Sequence, residues 1–111
     1  MMEEILLDYL SGKLIVPCYM SVPEHPSGNF CVLEKTGSGY EDGLFFATLA
    51  VQSYGSSDYE AARLNHQVVQ AMLEADTLPE LASCTLNTDY NFPDTTRKKP
   101  RYQAVFDIVH Y

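Results

Sequence analysis

The sequence predicts an α+β domain, a mostly antiparallel sheet of about five strands with two helices on one face, in the order α-β-β-β-α-β-β. Three observations lead there. The apolar run 44–51 closes in Gln52-Ser53-Tyr54-Gly55 and reads as a strand. Directly after it, Ser57-Asp58-Tyr59-Glu60 has the serine-to-glutamate spacing that closes two backbone donors at a helix start. The next segment then carries Ala61, Leu64, Val68, Met72 and Ala75 at helical spacing, a helix of about five turns.

The flanking elements follow from the same patterns. Residues 2–10 place Met2, Ile5, Leu6, Tyr9 and Leu10 on one stripe, with Glu3, Glu4 and Asp8 opposite. Acidic residues in a first turn suit the positive end of a helix dipole, and Gly12 is the expected stop. Residues 14–22 read as a strand with Leu14, Val16, Cys18, Met20 and Val22 on one face. Pro17 inside it removes a ladder donor and points to an edge or a bulge. The turn-rich 23–28 leads to a strand over 30–34, and the glycine-rich 36–43 reads as a flexible loop carrying Tyr40. The strand 44–54 is apolar on both faces, so it is expected at the centre of the sheet. After the helix, 83–92 alternates with Cys84, Leu86, Thr88, Tyr90 and Phe92 on one face. A proline-bracketed polar loop, 93–100, precedes a last strand over 102–111. There Tyr102, Ala104, Phe106, Ile108 and His110 oppose Gln103, Val105, Asp107 and Val109.

A chain of 111 residues, 46% hydrophobic and 20% charged, has the size and composition of one folded domain. The apolar run 44–51 is far too short to span a bilayer as a helix. The acidic start Met1-Met2-Glu3-Glu4 lacks the positive leader of a secretory signal. A soluble protein, intracellular at synthesis and without a membrane partner, is therefore expected. The net charge of −8 argues against general nucleic-acid binding, which needs clustered positive charge. Its distribution is uneven: Arg97, Lys98, Lys99 and Arg101 are four of the seven basic residues. That cluster, within residues 94–101, is a candidate partner surface.

No residue pattern announces catalysis, a cofactor or a metal. The three cysteines, Cys18, Cys31 and Cys84, include no C-x-x-C pair. Cys18, His25 and Cys31 invite a metal reading across a hairpin centred near His25, but a zinc site needs a fourth ligand and tight paired spacing. Reduced, structural cysteines are the expectation. His66 with Glu60 or Asp58 is conceivable as an acid–base pair, against an ordinary exposed helix face. Gly37-Ser38-Gly39 lacks the Gly-Lys-Ser/Thr ending of a phosphate loop, and Glu41-Asp42 alone is too few oxygens for a calcium or magnesium site. Eight tyrosines and no tryptophan are a stronger signal. Tyrosine joins large apolar area to a polar tip and is enriched at interfaces, and Tyr40 stands in the glycine-rich segment as an anchor for a neighbour.

The element order, the junction Val51-Gln52-Ser53-Tyr54-Gly55-Ser56-Ser57 leading into Glu60-Ala61-Ala62, and the closing Arg101-Tyr102-Gln103-Ala104-Val105-Phe106 resemble the tail-terminator, or tail-completion, proteins of long-tailed bacteriophages and prophages. The likeness is one of layout and covers most of the chain. It implies a structural, non-enzymatic virion protein without cofactors. Such proteins form a ring, commonly of six subunits, on the head-proximal end of the tail tube, stopping tube growth and offering a surface for head–tail joining. The implied partners are further copies of the chain, the tail tube protein and the head connector protein, with DNA passing through the ring without sequence-specific contact. The implied location is the virion tail or neck, after assembly in the host cytoplasm. The chain is short for that group and has no C-terminal extension, which leaves another neck, minor capsid or head-closure component as an alternative. A small ligand-binding module or enzyme is the alternative from another class. The candidate interface residues are Tyr40, Arg97, Lys98, Lys99 and Arg101.

Overall fold

The computed structural model describes all residues from Met1 to Tyr111. Helix α1 (Met2–Lys13) is followed by the two-residue strand β1 (Cys18–Tyr19), by β2 (Phe30–Glu41) and by β3 (Leu44–Tyr54). Helix α2 (Asp58–Leu73) and a single 3-10 turn (Ala75–Thr77) lead to β4 (Leu81–Asn91) and β5 (Arg101–His110). The five strands form one sheet in the order β1-β2-β3-β5-β4, antiparallel throughout except that β1 runs parallel to β2. This is the α+β architecture that the sequence patterns predict, and β3 is its central strand.

Both helices lie on one face of the sheet. Ala47, Leu49 and Val51 of β3 point there, joined by Cys31 and Leu33 from β2, Cys84 from β4, and Ala104, Phe106 and Ile108 from β5. Against them α1 places Met2, Leu6 and Leu10, each four residues after the last, and α2 places Leu64, Val68 and Met72. One stripe per helix meets one alternating face per strand, and burial of that apolar area drives the packing. Tyr9 of α1 donates its hydroxyl to the Ala71 carbonyl of α2 at 2.7 Å, tying the helices together. The opposite face is covered only at one end, where Phe30, Val32 and Tyr54 form a second small core with Tyr19 and Val22. The Phe30 and Tyr54 rings stack there at 4.6 Å.

The turn from β3 into α2 sets the spacing of these layers. Ser57 caps the helix, its Oγ accepting from the Glu60 amide at 3.2 Å. Glu60 does not complete the reciprocal box. Its carboxylate accepts instead from the Asn29 side-chain Nδ2 at 3.3 Å, while the Asn29 Oδ1 accepts from the Ser56 amide at 3.1 Å. Gly55 is buried beside the first turn, and a Cβ there would run into the Ala61 amide and lie 2.9 Å from the Ala61 Cα.

Four segments depart from the sequence expectation. Helix α1 continues through Gly12 to Lys13, because nothing after Leu10 forces a left-handed residue and the Leu14 amide still reaches the Leu10 carbonyl at 2.8 Å. The strand expected over 14–22 shrinks to Cys18–Tyr19: Pro17 has no amide to donate, although its carbonyl accepts from the Cys31 amide at 3.0 Å. Cys18 and Cys31 are partners across this parallel pair, not across a hairpin.

The glycine-rich 36–43 is not a flexible loop. It continues β2 as far as Glu41, with a bulge between Lys35 and Gly37, and the chain reverses through Asp42 and Gly43 alone, both at positive φ (52° and 82°). Asp-Gly is the residue pair that this two-residue hairpin turn favours, and backbone pairing to β3 requires no apolar side chains from the glycines. Strand β4 carries bulges between Leu81 and Ser83 and between Leu86 and Thr88. The second bulge turns Thr88 and Tyr90 away from the face shared by Cys84 and Leu86.

The helix–sheet seam yields two expectations. Leu64→Ala should cost about 2–5 kcal/mol through lost burial and the cavity left behind, and a chemical denaturation midpoint equal to the parent's would refute the helix face described here. Gly55→Ala should cost about 1–3 kcal/mol, since the added methyl meets backbone that cannot rotate away. Equal stability of that variant would mean that β3 and α2 are not in close contact at this turn.

Candidate functional site

The strand pairing puts two hairpin tips at opposite ends of the sheet. Glu41 pairs with Leu44 at the β2–β3 tip, and Tyr54 pairs with Arg101 at the end nearest the β4–β5 tip. The molecule is 43 Å long and 24 Å across. These ends gather the candidate interface residues, with Tyr40 at one and the basic cluster at the other.

The β4–β5 tip is a folded turn held by a buried carboxylate. Asp94 and Lys99 exchange backbone hydrogen bonds at 3.0 Å each, closing the loop, and Lys98 takes a positive φ of 55°. The Asp94 side chain accepts from the Tyr54 hydroxyl at 2.8 Å, from the Arg97 amide at 3.1 Å and from the Arg97 guanidinium at 3.2 Å. Arg101 lies 3.8 Å from the same carboxylate and donates to the Tyr54 hydroxyl and to the Phe92 carbonyl. Its guanidinium also sits 4.4 Å from the centre of the Phe92 ring, in cation–π range.

The four basic residues therefore divide. Arg97 and Arg101 turn inward on Asp94, whereas Lys98 and Lys99 take part in no ion pair. Spacing along the chain did not reveal this, because the organising residues, Tyr54 and Asp94, are forty positions apart. Beside the lysines lies an open concavity of about 390 Å³ bordered by Asp58, Pro93, Asp94, Thr95, Lys98, Lys99 and Pro100.

At the other end the β2–β3 hairpin extends beyond the helices and exposes aromatic surface. Tyr40 is 64% exposed, Phe45 45% and Phe46 40%. Tyr40 packs on Phe45 at 4.7 Å, and the His110 ring stacks on the other side of Phe45 at 5.4 Å. Phe45 and Phe46 belong to this surface although the apolar run containing them reads as core. The first residues of α1, Met1 to Glu3, border a concavity beside Tyr40 and Phe45, and side chains on both faces of the hairpin stay partly exposed. Beneath Phe46 a concavity of about 500 Å³ is lined by Tyr40, Thr48, Asp107 and Val109 among others. Further along the uncovered face, Gln52 donates to Gln103 at 3.0 Å and Gln103 donates to the Tyr90 hydroxyl, a polar ladder across three strands.

His25 and His66 are exposed on a loop and on α2, and no three histidine, cysteine or acidic side chains converge as a metal site would require. Cys18 and Cys31 face each other across the β1–β2 pair, and the neighbouring thiol lowers the Cys18 pKa while, together with burial, it holds Cys31 well above the usual thiol range. Burial, with Asp76 nearby, pushes Cys84 up to about 12. No helix is long and apolar enough to cross a membrane.

Burial alone would raise the Asp94 pKa, but the Arg97 amide, the Tyr54 hydroxyl, the Arg97 side chain and the Arg101 charge outweigh it and lower the value from 3.8 to about 2. A carboxylate with a depressed folded-state pKa stabilises the fold fully above the unfolded value and loses that contribution as pH falls through the folded one. For Asp94 this contribution is about 2 kcal/mol. Asp94→Asn should therefore be less stable than the parent by roughly that amount at pH 7, with the gap closing between about pH 4 and pH 2. A pH-independent difference would assign the loss to packing instead of charge.

No protein-family model and no curated protein sequence matches this chain.

Proposed function

We propose that the chain is a structural, non-catalytic virion protein of a bacteriophage or prophage. It self-associates into a ring at the head-proximal end of the tail tube, ends tube growth and presents the surface for head–tail joining. The assignment to a tail or neck comes from the likeness in element order, in the junction 51–57 and in the closing strand. The observation that carries the self-association is the exposure of aromatic side chains on a hairpin extending past the helices, with Tyr40, Phe45 and Phe46 together on one end. Clustered exposed aromatics of this kind are typical of surfaces covered by another chain. The alternative placements in the same particle, a head-closure or minor capsid component, use the same surfaces and differ in the partner met.

The test is the mass of the purified protein across a concentration series, read by light scattering and by electron microscopy of negatively stained particles. A closed oligomer with a central opening is the expected result. A monomer at every concentration would overturn the ring. Supplying the protein to tails assembled without it should further restore tails of uniform length, and tails of unchanged, irregular length would overturn the terminator role.

A further inference from the structure

The acidic turn Glu41–Asp42 and the lysines Lys98 and Lys99 of the β4–β5 tip lie at opposite ends of one sheet, and none of these four residues has an ionic partner within the chain. We infer that these two ends bind each other between copies: the β2–β3 turn of one molecule seats against Lys98 and Lys99 of the next. The inference deepens the proposed self-association and rests on it.

Three observations select a second copy as the occupant. The first is charge. Fifteen acidic residues against seven basic ones make copies of this chain repel one another on average, so association needs unlike patches brought together. Lys98 and Lys99 are the unpaired positive charges clustered at one extremity, and Glu41 and Asp42 are exposed at the other.

The second is shape. The concavity sets Lys98, Lys99 and Thr95 beside the rings of Pro93 and Pro100, so it offers both charge and apolar contact to a short turn. Its own Asp94 is occupied by Tyr54, Arg97 and Arg101, which leaves Asp58 as the one competing carboxylate in the lining. The third is the apolar border. Tyr40, Phe45 and Phe46 flank the acidic turn, and the rings of Pro93 and Pro100 line the basic concavity. Apolar surface therefore adjoins the charged contact on both partners, as in interface hot spots.

A contact between different patches facing opposite ways is head-to-tail, and such contacts close into a ring whenever the rotation between neighbours allows. The contact is also pre-organised. The acidic turn is a two-residue hairpin connection, and the basic tip is closed by two backbone hydrogen bonds, so little order is lost on binding.

Charge reversal tests the pairing. One variant combines Glu41→Lys with Asp42→Asn, and the other combines Lys98→Asp with Lys99→Glu. Asn and Asp are chosen because positions 42 and 98 need a positive φ, and Arg97 is untouched because it holds Asp94. Sedimentation equilibrium should show each variant associating at least about tenfold more weakly than the parent, with unchanged circular dichroism. Mixing the two variants, or placing all four substitutions in one chain, should restore association, since every contact is complementary again. High salt should weaken the parent, the mixture and the fourfold variant alike. If the parent forms a closed oligomer and both variants assemble equally well, the tip pairing is wrong while the ring stands. If each variant loses association and neither the mixture nor the fourfold chain recovers it, the tips do not bind each other. A parent that stays monomeric at all concentrations overturns both readings.

Discussion

Strand β3 is the constraint on which the rest of the structure depends. It pairs along its length with β2 on one side and β5 on the other, so its backbone is satisfied on both edges. Its side chains divide between two environments. Ala47, Leu49 and Val51 support both helices, while Tyr54 on the other face anchors the small core with Phe30 and reaches Asp94 across the end of the sheet. The helix that follows is held close because Gly55 lets the backbone turn directly onto its first residues. One strand thus fixes the position of both helices and of the basic tip.

The parts readable in the sequence were those in which side-chain pattern and backbone state coincide. Strand β3 is a continuous apolar run and α2 has both a cap and a stripe, so their existence and their buried residues, Leu64, Val68 and Met72, followed from spacing. The sequence pattern ends β2 at Glu34, because Thr36, Gly37, Ser38 and Gly39 have no apolar alternation. Their place in the ladder comes from the partner strand, which sequence spacing does not encode, although Asp42-Gly43 marked the true turn. In β4 the alternation Cys84, Leu86, Thr88, Tyr90 was real in the sequence and broken in space by a bulge. Asn65 is polar but buried in α2, and it donates to Asp89 of β4 at 2.8 Å, a partner that helical spacing does not reveal.

The basic cluster shows the same limit for the candidate site. As a string, Arg97-Lys98-Lys99-x-Arg101 is uniformly positive. In space, one buried carboxylate divides it into two arginines that build the turn and two lysines that the turn displays. The division follows side-chain chemistry, since guanidinium groups bridge several acceptors and stack on rings, whereas an ammonium is a strongly hydrated point charge. Arg101 does both, with the Phe92 carbonyl and ring, the Tyr54 hydroxyl and Asp94 all within reach.

The strand order has a consequence for how the chain reaches this state during synthesis. β5 enters the sheet between β3 and β4, although it follows both in sequence, and it pairs Phe45 with His110 and Tyr54 with Arg101. The hairpin of β2 and β3 and the helix after it can form from neighbouring segments, but the middle of the sheet waits for its last strand. At ribosomal speeds of about 5–20 residues per second, that wait is on the order of seconds, long compared with the microseconds of hairpin and helix formation. For that interval one full edge of the most apolar strand is open, and a nascent chain in this condition is a natural client for the cell's holding chaperones.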